Sequence, residues 1–78
     1  MEFKPEKIRA LRQKHHHSLG TLARLMEARF GYRISRATIS LWERGKARPK
    51  IDALAVLCTL YRVEAGYFFE EPISQQFV

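Results

Sequence analysis

Apolar residues recur along the first part of the chain at intervals of three and four positions, which is the period of an amphipathic helix. Ile8 and Leu11 predict a first helix over residues 5–14, and Pro5 suits its first turn because no N–H is needed there. A second helix is predicted to start after Ser18, a suitable cap, and to end at Gly31, which tolerates a left-handed conformation. Its buried stripe would contain Leu19, Leu22, Ala23, Met26 and Phe30.

The same period continues in the second part of the chain. Ser35 is another candidate cap, and a short helix over residues 36–44 would turn Ile39 and Trp42 inward before Gly45 stops it. A strongly apolar fourth helix follows, and residues 63–69 predict a short fifth one. The apolar positions of the fourth helix are Ile51, Leu54, Ala55, Leu57, Cys58 and Tyr61. Because no stretch alternates with a period of two over the length of a strand, the sequence predicts an all-α domain of five helices.

The length of the chain allows one small core. Its 78 residues predict a single domain over 1–78, with a core over about 5–70 and a tail over 71–78. Cys58, the single cysteine, falls in an apolar helix and is expected to be an inert buried thiol. No apolar run approaches the roughly 18 residues of a membrane span, and no secretory signal is apparent, so a cytoplasmic location is expected. No catalytic constellation is present, which predicts a protein that is not an enzyme and has no cofactor.

Basic residues are concentrated in one part of the chain. Residues 1–50 carry thirteen Lys and Arg against four Asp and Glu, whereas residues 51–78 carry one against four. The formal net charge is +6. This asymmetry favours a polyanionic partner on one side of the domain, with nucleic acid as the first candidate. A solvated surface rich in Lys and Arg is the alternative at this point.

Two helices joined by a short connector, the second short and polar on one face, make a helix-turn-helix candidate. The segment SLGTLA at 18–23 resembles the opening of the first helix of this motif. ISRATISLWERG at 34–45 resembles its recognition helix, and KARP at 46–49 with YFF at 67–69 completes the pattern. Over about residues 5–70 the chain resembles the phage repressor and Cro family (the XRE-type helix-turn-helix), whose lambda-repressor-like domains have five helices and bind DNA.

This resemblance implies a role for each matching position. The base-reading residues would be Arg36, Ala37, Thr38, Ser40 and Leu41. The phosphate-contacting residues would be Ser18 together with Arg44, Lys46, Arg48 and Lys50 in the loop after the recognition helix. Arg36 has the donors to bind a guanine, and Leu41 has only apolar contact to offer, for example with a thymine methyl. In the competing interpretation Arg36 binds a phosphate and Leu41 belongs to the core.

Two further features bear on the resemblance. Glu43 matches a position that pairs in the family with an arginine ending the first helix, here Arg12, and a partly buried orienting salt bridge is expected in preference to a DNA contact. Residues 26–33 make the motif longer than usual by more than one helical turn. This extension either presents Arg29, Tyr32 and Arg33 to the DNA backbone or is a surface elaboration.

The run of three histidines at 15–17 is the remaining candidate for chemistry. Histidines can bind a transition metal or respond to pH. Adjacent histidines do not share a helix face, however, and no second cluster of ligands is apparent in the sequence. A solvated turn between helices, without a metal site, is therefore expected.

Together these features predict a sequence-specific regulator of transcription that binds double-stranded DNA, a repressor acting as a homodimer on a palindromic operator. The residues Phe68, Phe69, Ile73, Phe77 and Val78 exceed what a short last helix and tail can bury, which makes them candidates for a two-fold contact; otherwise the tail folds back on its own subunit. Two other functions stay open: an antitoxin that binds a toxin or another regulatory protein, and an adaptor whose recognition helix never enters DNA. The polar face with Arg36 argues against the adaptor.

Overall fold

The computed structural model describes residues 2–69 of the protein. Four α-helices follow one another in the chain: α1 (Glu6–Lys14), α2 (Leu19–Phe30), α3 (Arg36–Glu43) and α4 (Ile51–Tyr61). A 3-10 helix of five residues, Ala65–Phe69, ends the described part, in which there is no strand. The predicted all-α class is confirmed. The fifth α-helix is not found, because this segment is short and contains Gly66, and short segments readily adopt the tighter 3-10 form.

Side-chain caps and glycines fix the ends of the two helices of the motif. The Ser18 Oγ accepts a hydrogen bond from the Thr21 N–H at 3.0 Å, and the Ser35 Oγ accepts one from the Thr38 N–H at 3.2 Å. Gly31 follows α2 with a φ of 66°, a left-handed conformation that is strained for residues with a Cβ. The chain therefore turns sharply between α2 and α3 at the point that the sequence predicts.

The core takes one face from each helix. α3 packs against α1 and α2, whereas the 3-10 helix packs against α1 and α4. The buried apolar side chains are Ile8, Leu11, Leu22, Met26, Ile39, Trp42, Ala53, Leu57, Tyr61 and Phe68. This arrangement supports α3 from behind and leaves its opposite face open to solvent.

The inward face of α4 differs from the predicted one. Ala53, Leu57 and Tyr61 are buried, whereas Ala55 is exposed and Ile51 is 85% exposed. The helix is apolar on nearly all sides, so hydropathy alone does not determine which side faces the core. Contacts with the other helices select the face.

The burial of Phe68 corrects the predicted set of dimer residues. This side chain is 0% exposed and belongs to the core of its own subunit, so it is not available to a partner. Phe69 is half-buried and packs edge-on against Phe3, with 5.7 Å between ring centroids. The other candidates, Ile73, Phe77 and Val78, lie outside the described residues.

Candidate nucleic-acid interface

The exposed face of α3 carries the predicted base-reading residues. Arg36 and Ala37 are exposed in its first turn, and Leu41 is 37% exposed one and a half turns further on. Within residues 2–69 the Arg36 guanidinium forms no hydrogen bond and no ion pair. Since Leu41 lies on the surface, the interpretation that makes it a core residue is not supported. Arg36, at the start of α3, and Leu41, near its end, are thus both exposed to solvent.

The two hydroxyl groups on this face already have partners within the protein. Thr38 Oγ1 lies 3.0 Å from Ser35 Oγ, and Ser40 Oγ accepts a hydrogen bond from Arg44 Nε at 3.3 Å. Both residues are half-buried. A hydroxyl has one donor and two acceptor positions, so each of them retains capacity for a further hydrogen bond.

The start of α2 is a second surface that suits an anion. The Oγ of Ser18 is occupied, because it accepts from the Thr21 N–H and donates to Thr21 Oγ1 at 3.0 Å. The N–H groups of Leu19 and Gly20 belong to the first turn, where no carbonyl four residues earlier in the helix can accept from them. An anion at this position would therefore meet backbone donors rather than the Ser18 side chain.

Four exposed cations line the loop after α3. They are Arg44, Lys46, Arg48 and Lys50, and no acidic residue occurs between Arg44 and Ile51. The loop is tied to the helix because the N–H groups of Lys46 and Ala47 both donate to the Leu41 carbonyl, at 2.9 and 3.3 Å. Gly45, with a φ of 74°, makes the turn possible. These cations are consequently carried on a well-anchored loop that follows directly from α3.

Arg12 and Glu43 form a two-pronged ion pair behind this surface. Arg12 Nε donates to Glu43 Oε2 at 2.7 Å and the second terminal nitrogen donates to Oε1 at 2.9 Å. A third bond runs from Arg12 to the His17 carbonyl at 2.9 Å, so one guanidinium joins α1, the residue before the α2 cap, and the end of α3. The hydrogen bonds to Glu43 raise the pKa of Arg12. Glu43 is the single acid of α3, and the positive charge of Arg12 neutralises the negative charge that would otherwise repel DNA.

The extension at residues 26–33 divides into two parts. Tyr32 is half-buried and its hydroxyl donates to Asp52 Oδ1 at 3.4 Å, which links the connector to the start of α4. Burial, with a contribution from Asp52, raises the pKa of Tyr32. Arg29 and Arg33 are exposed, and Arg33 Nε lies 3.4 Å from Glu27 Oε2. The two arginines remain available to a phosphate backbone, whereas Tyr32 is engaged within the fold.

The histidine run has a structural contact that the sequence does not predict. His17 Nδ1 lies 2.9 Å from the Tyr61 hydroxyl, and the His15 and His17 rings lie 4.9 and 5.7 Å from the Tyr61 ring. Burial raises the pKa of Tyr61 to about 12. The only hint in the sequence is a tyrosine on the apolar face of α4. Among residues 2–69 no three His, Cys, Asp or Glu side chains come together as a metal ion would require.

The partial burial of His17 is expected to make stability depend on pH. Burial, followed by His15 and then Arg29 and His16, lowers the pKa of His17 below its ordinary value of 6.5. Because the unfolded chain binds the proton more readily, the contribution of His17 is complete above pH 6.5 and decreases as the pH falls toward the lower folded pKa. We expect the free energy of unfolding, measured in urea, to fall less steeply between about pH 7 and 5 in His17→Gln than in the wild type.

His16→Asn is the matched control for this measurement. His16 is exposed and has a φ of 59°, a conformation that asparagine tolerates well. An identical pH profile for His17→Gln and the wild type would contradict the assignment of this dependence to His17.

The arrangement described so far is a helix-turn-helix. Its second helix, α3, packs against α1 and α2 and is followed in the chain by a basic loop. The family model for the helix-turn-helix matches residues 8–68. The chain therefore belongs to the Cro-like, XRE-type helix-turn-helix family of DNA-binding transcription regulators. Comparisons with curated proteins and with solved structures gave no significant match. Within residues 2–69, none of the helices has the length and apolarity needed to cross a membrane.

Proposed function

We propose that the protein is a transcriptional repressor that binds a palindromic operator in double-stranded DNA as a homodimer. The observation that carries the proposal is the α3 surface. Arg36, Ala37 and Leu41 are exposed on it, its single acid is paired with Arg12, and its C-terminal loop carries four exposed cations. Both the basic loop after α3 and the absence of an unpaired acid from α3 suit a polyanion. An adaptor that binds another protein through α3 would require neither feature.

The binding mode follows from the chemistry of each surface. α3 enters the major groove with Arg36 at the leading end, where its planar donors suit guanine O6 and N7. Leu41 supplies an apolar contact further along the groove. Phosphates bind to the cations of the α3–α4 loop and to the backbone N–H groups at the start of α2, and these contacts fix the register without reading sequence.

Dimerisation follows from the length of DNA that one domain can read. A single helix of eight residues contacts only a few base pairs, which is too short a site to be unique. Two copies related by a two-fold axis would place their α3 helices about 34 Å apart on one face of the DNA, with inverted half-sites. Such a dimer represses by occupying a site that the transcription machinery needs.

Selection of bound sequences from a random duplex pool tests this function. We expect an inverted repeat whose half-sites are centred about 10 base pairs apart. A single, unrepeated half-site would contradict the dimer and leave the DNA-binding function in place. The absence of any enriched sequence would contradict sequence-specific binding altogether, and would favour an adaptor.

The basic loop is expected to dominate the salt dependence. If each subunit neutralises about four to six phosphates, the logarithm of the binding constant should fall with the logarithm of salt concentration by about 0.9 per phosphate. Removing two phosphate contacts through Lys46→Ala with Arg48→Ala should weaken binding to every duplex alike and reduce the slope by nearly two. The measurement is fluorescence anisotropy over a salt series.

A charge-matched control is available on α1. Arg9 and Lys14 are exposed there, and the resemblance to the repressor family assigns a DNA contact to neither of them. Arg9→Ala with Lys14→Ala removes the same net charge but should leave the slope nearly unchanged. Equal slopes for the wild type and the Lys46 and Arg48 double variant would exclude this loop from the interface.

A further inference from the structure

Arg48 lies against two aromatic rings from opposite ends of the described chain. Its guanidinium carbon is 5.4 Å from the centroid of the Phe3 ring and 5.6 Å from that of the Phe69 ring. Both distances fall within the range of a cation–π interaction, which is about 6 Å. Of the four loop cations, Arg48 alone has such contacts within residues 2–69.

The two rings are themselves held in place by the fold. The Lys4 N–H donates to the Phe68 carbonyl at 2.7 Å, which fastens the N-terminal segment to the 3-10 helix. The Phe3 ring also stacks against the fully buried Phe68 ring, with 6.3 Å between centroids. Arg48 precedes Pro49, which is buried. An exposed arginine is thus held by its side-chain contacts with two rings and directly precedes a buried residue.

The contacts leave the hydrogen-bonding groups of Arg48 available. A ring attracts the cation through its π face, whereas the five N–H donors lie in the plane of the guanidinium. Within residues 2–69 no carboxylate or carbonyl accepts from these donors. The guanidinium can therefore still bind an oxyanion, and because the two rings restrict it, it loses less side-chain entropy on doing so than a mobile arginine would.

A cleft between the N-terminal segment and the α3–α4 loop lies beside this group. It is lined by Glu2, Phe3, Pro5, Gly45, Lys46, Ala47 and Arg48. Lys46 and Arg48 contribute positive charge to it. Glu2 is the one acid of the lining, and its carboxylate lies 3.9 Å from the Lys4 ammonium group. The cleft suits a small anion of low charge, such as a single phosphodiester.

We propose that Phe3 and Phe69 are positioning residues, which hold Arg48 as a pre-formed contact for one backbone phosphodiester of DNA in this cleft. The proposal rests on the DNA-binding function proposed above and adds the N-terminal segment to the interface. Phe3 has no group that can hydrogen-bond to the phosphodiester, so it acts through Arg48.

Substitutions at Phe3 separate positioning from packing. Phe3→Leu keeps an apolar side chain but removes the π face, whereas Phe3→Trp keeps the π face. We expect Phe3→Leu to weaken binding to a mixed-sequence duplex by about two- to fivefold, because the released arginine side chain must then be ordered on binding, and Phe3→Trp to restore it. Glu2→Gln should strengthen binding, because it removes the carboxylate from the cleft.

Tyr67→Leu provides the matched control. Tyr67 lies in the same 3-10 helix and forms the other cation–π contact of the described chain, with the Lys7 ammonium group 4.6 Å from its ring. Its loss should lower stability to a similar extent without affecting Arg48, so DNA affinity should be unchanged. Thermal unfolding of each variant shows that binding is measured on folded protein.

A double-mutant cycle with Arg48→Ala completes the test. Phe3→Leu should have no further effect on affinity once Arg48 is absent. In the DNA-free protein, ring-current shifts of the Arg48 side-chain resonances should be present in the wild type and Phe3→Trp and reduced in Phe3→Leu. If Arg48→Ala weakens binding while Phe3→Leu does not, the positioning role is overturned and the DNA-binding function stands. If the wild type binds no duplex, both proposals are overturned.

Discussion

Replacing Arg12 by alanine should lower the free energy of unfolding by about 3 kcal/mol, because it leaves the Glu43 carboxylate without a partner in a site that water reaches poorly. The two side chains are only 11% and 7% exposed, and Arg12 makes all three of its hydrogen bonds to distant parts of the chain or to the following turn. A small domain has a total stability of about 5–10 kcal/mol, so this is a large share of it. The midpoint of thermal unfolding should fall by more than about 10 °C.

The partner substitution shows how much of this effect belongs to the pair. Glu43→Ala removes the acceptor, and the Arg12→Ala, Glu43→Ala double variant removes both charges. We expect the double variant to be more stable than the sum of the single effects implies, since neither charge is then left unpaired. Arg12→Lys should be intermediate, because an ammonium group lacks the planar fork of donors that binds both carboxylate oxygens of Glu43 side by side. Strictly additive single effects would contradict an energetically coupled pair.

The helix ends of the motif follow from the sequence, whereas the ion pair between them does not. Ser18, Gly31 and Ser35 act through local chemistry, either as a cap or as a left-handed turn, so their structural roles follow from neighbouring residues alone. α2 and α3 accordingly begin at the predicted residues. Arg12 and Glu43 are separated by 31 positions, and their pairing was expected only through the resemblance to the repressor family.

The errors occur where packing rather than local pattern decides the outcome. α4 is apolar on most sides, so its hydropathy specifies no orientation; the sequence predicts that Ile51 faces inward, but this side chain is 85% exposed. Phe68 and Phe69 are adjacent and chemically identical, yet one is fully buried and the other half-buried. Their difference depends on which side of a five-residue 3-10 helix faces α1 and α4, a property that the sequence of that segment does not express.

Contacts between distant residues were also beyond the reach of the sequence. The family resemblance predicts Arg48 in the phosphate-binding loop, but nothing near it in the chain indicates that Phe3 and Phe69 approach its guanidinium. The same holds for His17, which was expected in a solvated turn and instead contacts Tyr61 at 2.9 Å. The first interaction brings the two ends of the described chain together, and the second joins the turn between α1 and α2 to the end of α4; only the folded structure specifies either of them.

Base recognition is the site property with the largest expected effect on function. Arg36→Ala should weaken binding to the selected operator by about 1–3 kcal/mol and relax selectivity at one base-pair position in each half-site. The reason is geometric: Arg36 is exposed in the first turn of α3 and has no partner within residues 2–69, so all of its donors are available to a guanine. Competition binding against operators mutated one position at a time measures both effects.

Two further substitutions distinguish reading from simple attraction. Arg36→Lys keeps the charge but loses the planar pair of donors, so it should retain non-specific affinity and still lose selectivity at the same position. Leu41→Ala should lose affinity at a different position, one where a thymine is preferred, because its contact is apolar. If Arg36→Ala instead weakened binding to all duplexes equally and left selectivity intact, Arg36 would be a phosphate contact. The reading face of α3 would then begin at Ala37 and depend on the half-buried hydroxyls and Leu41.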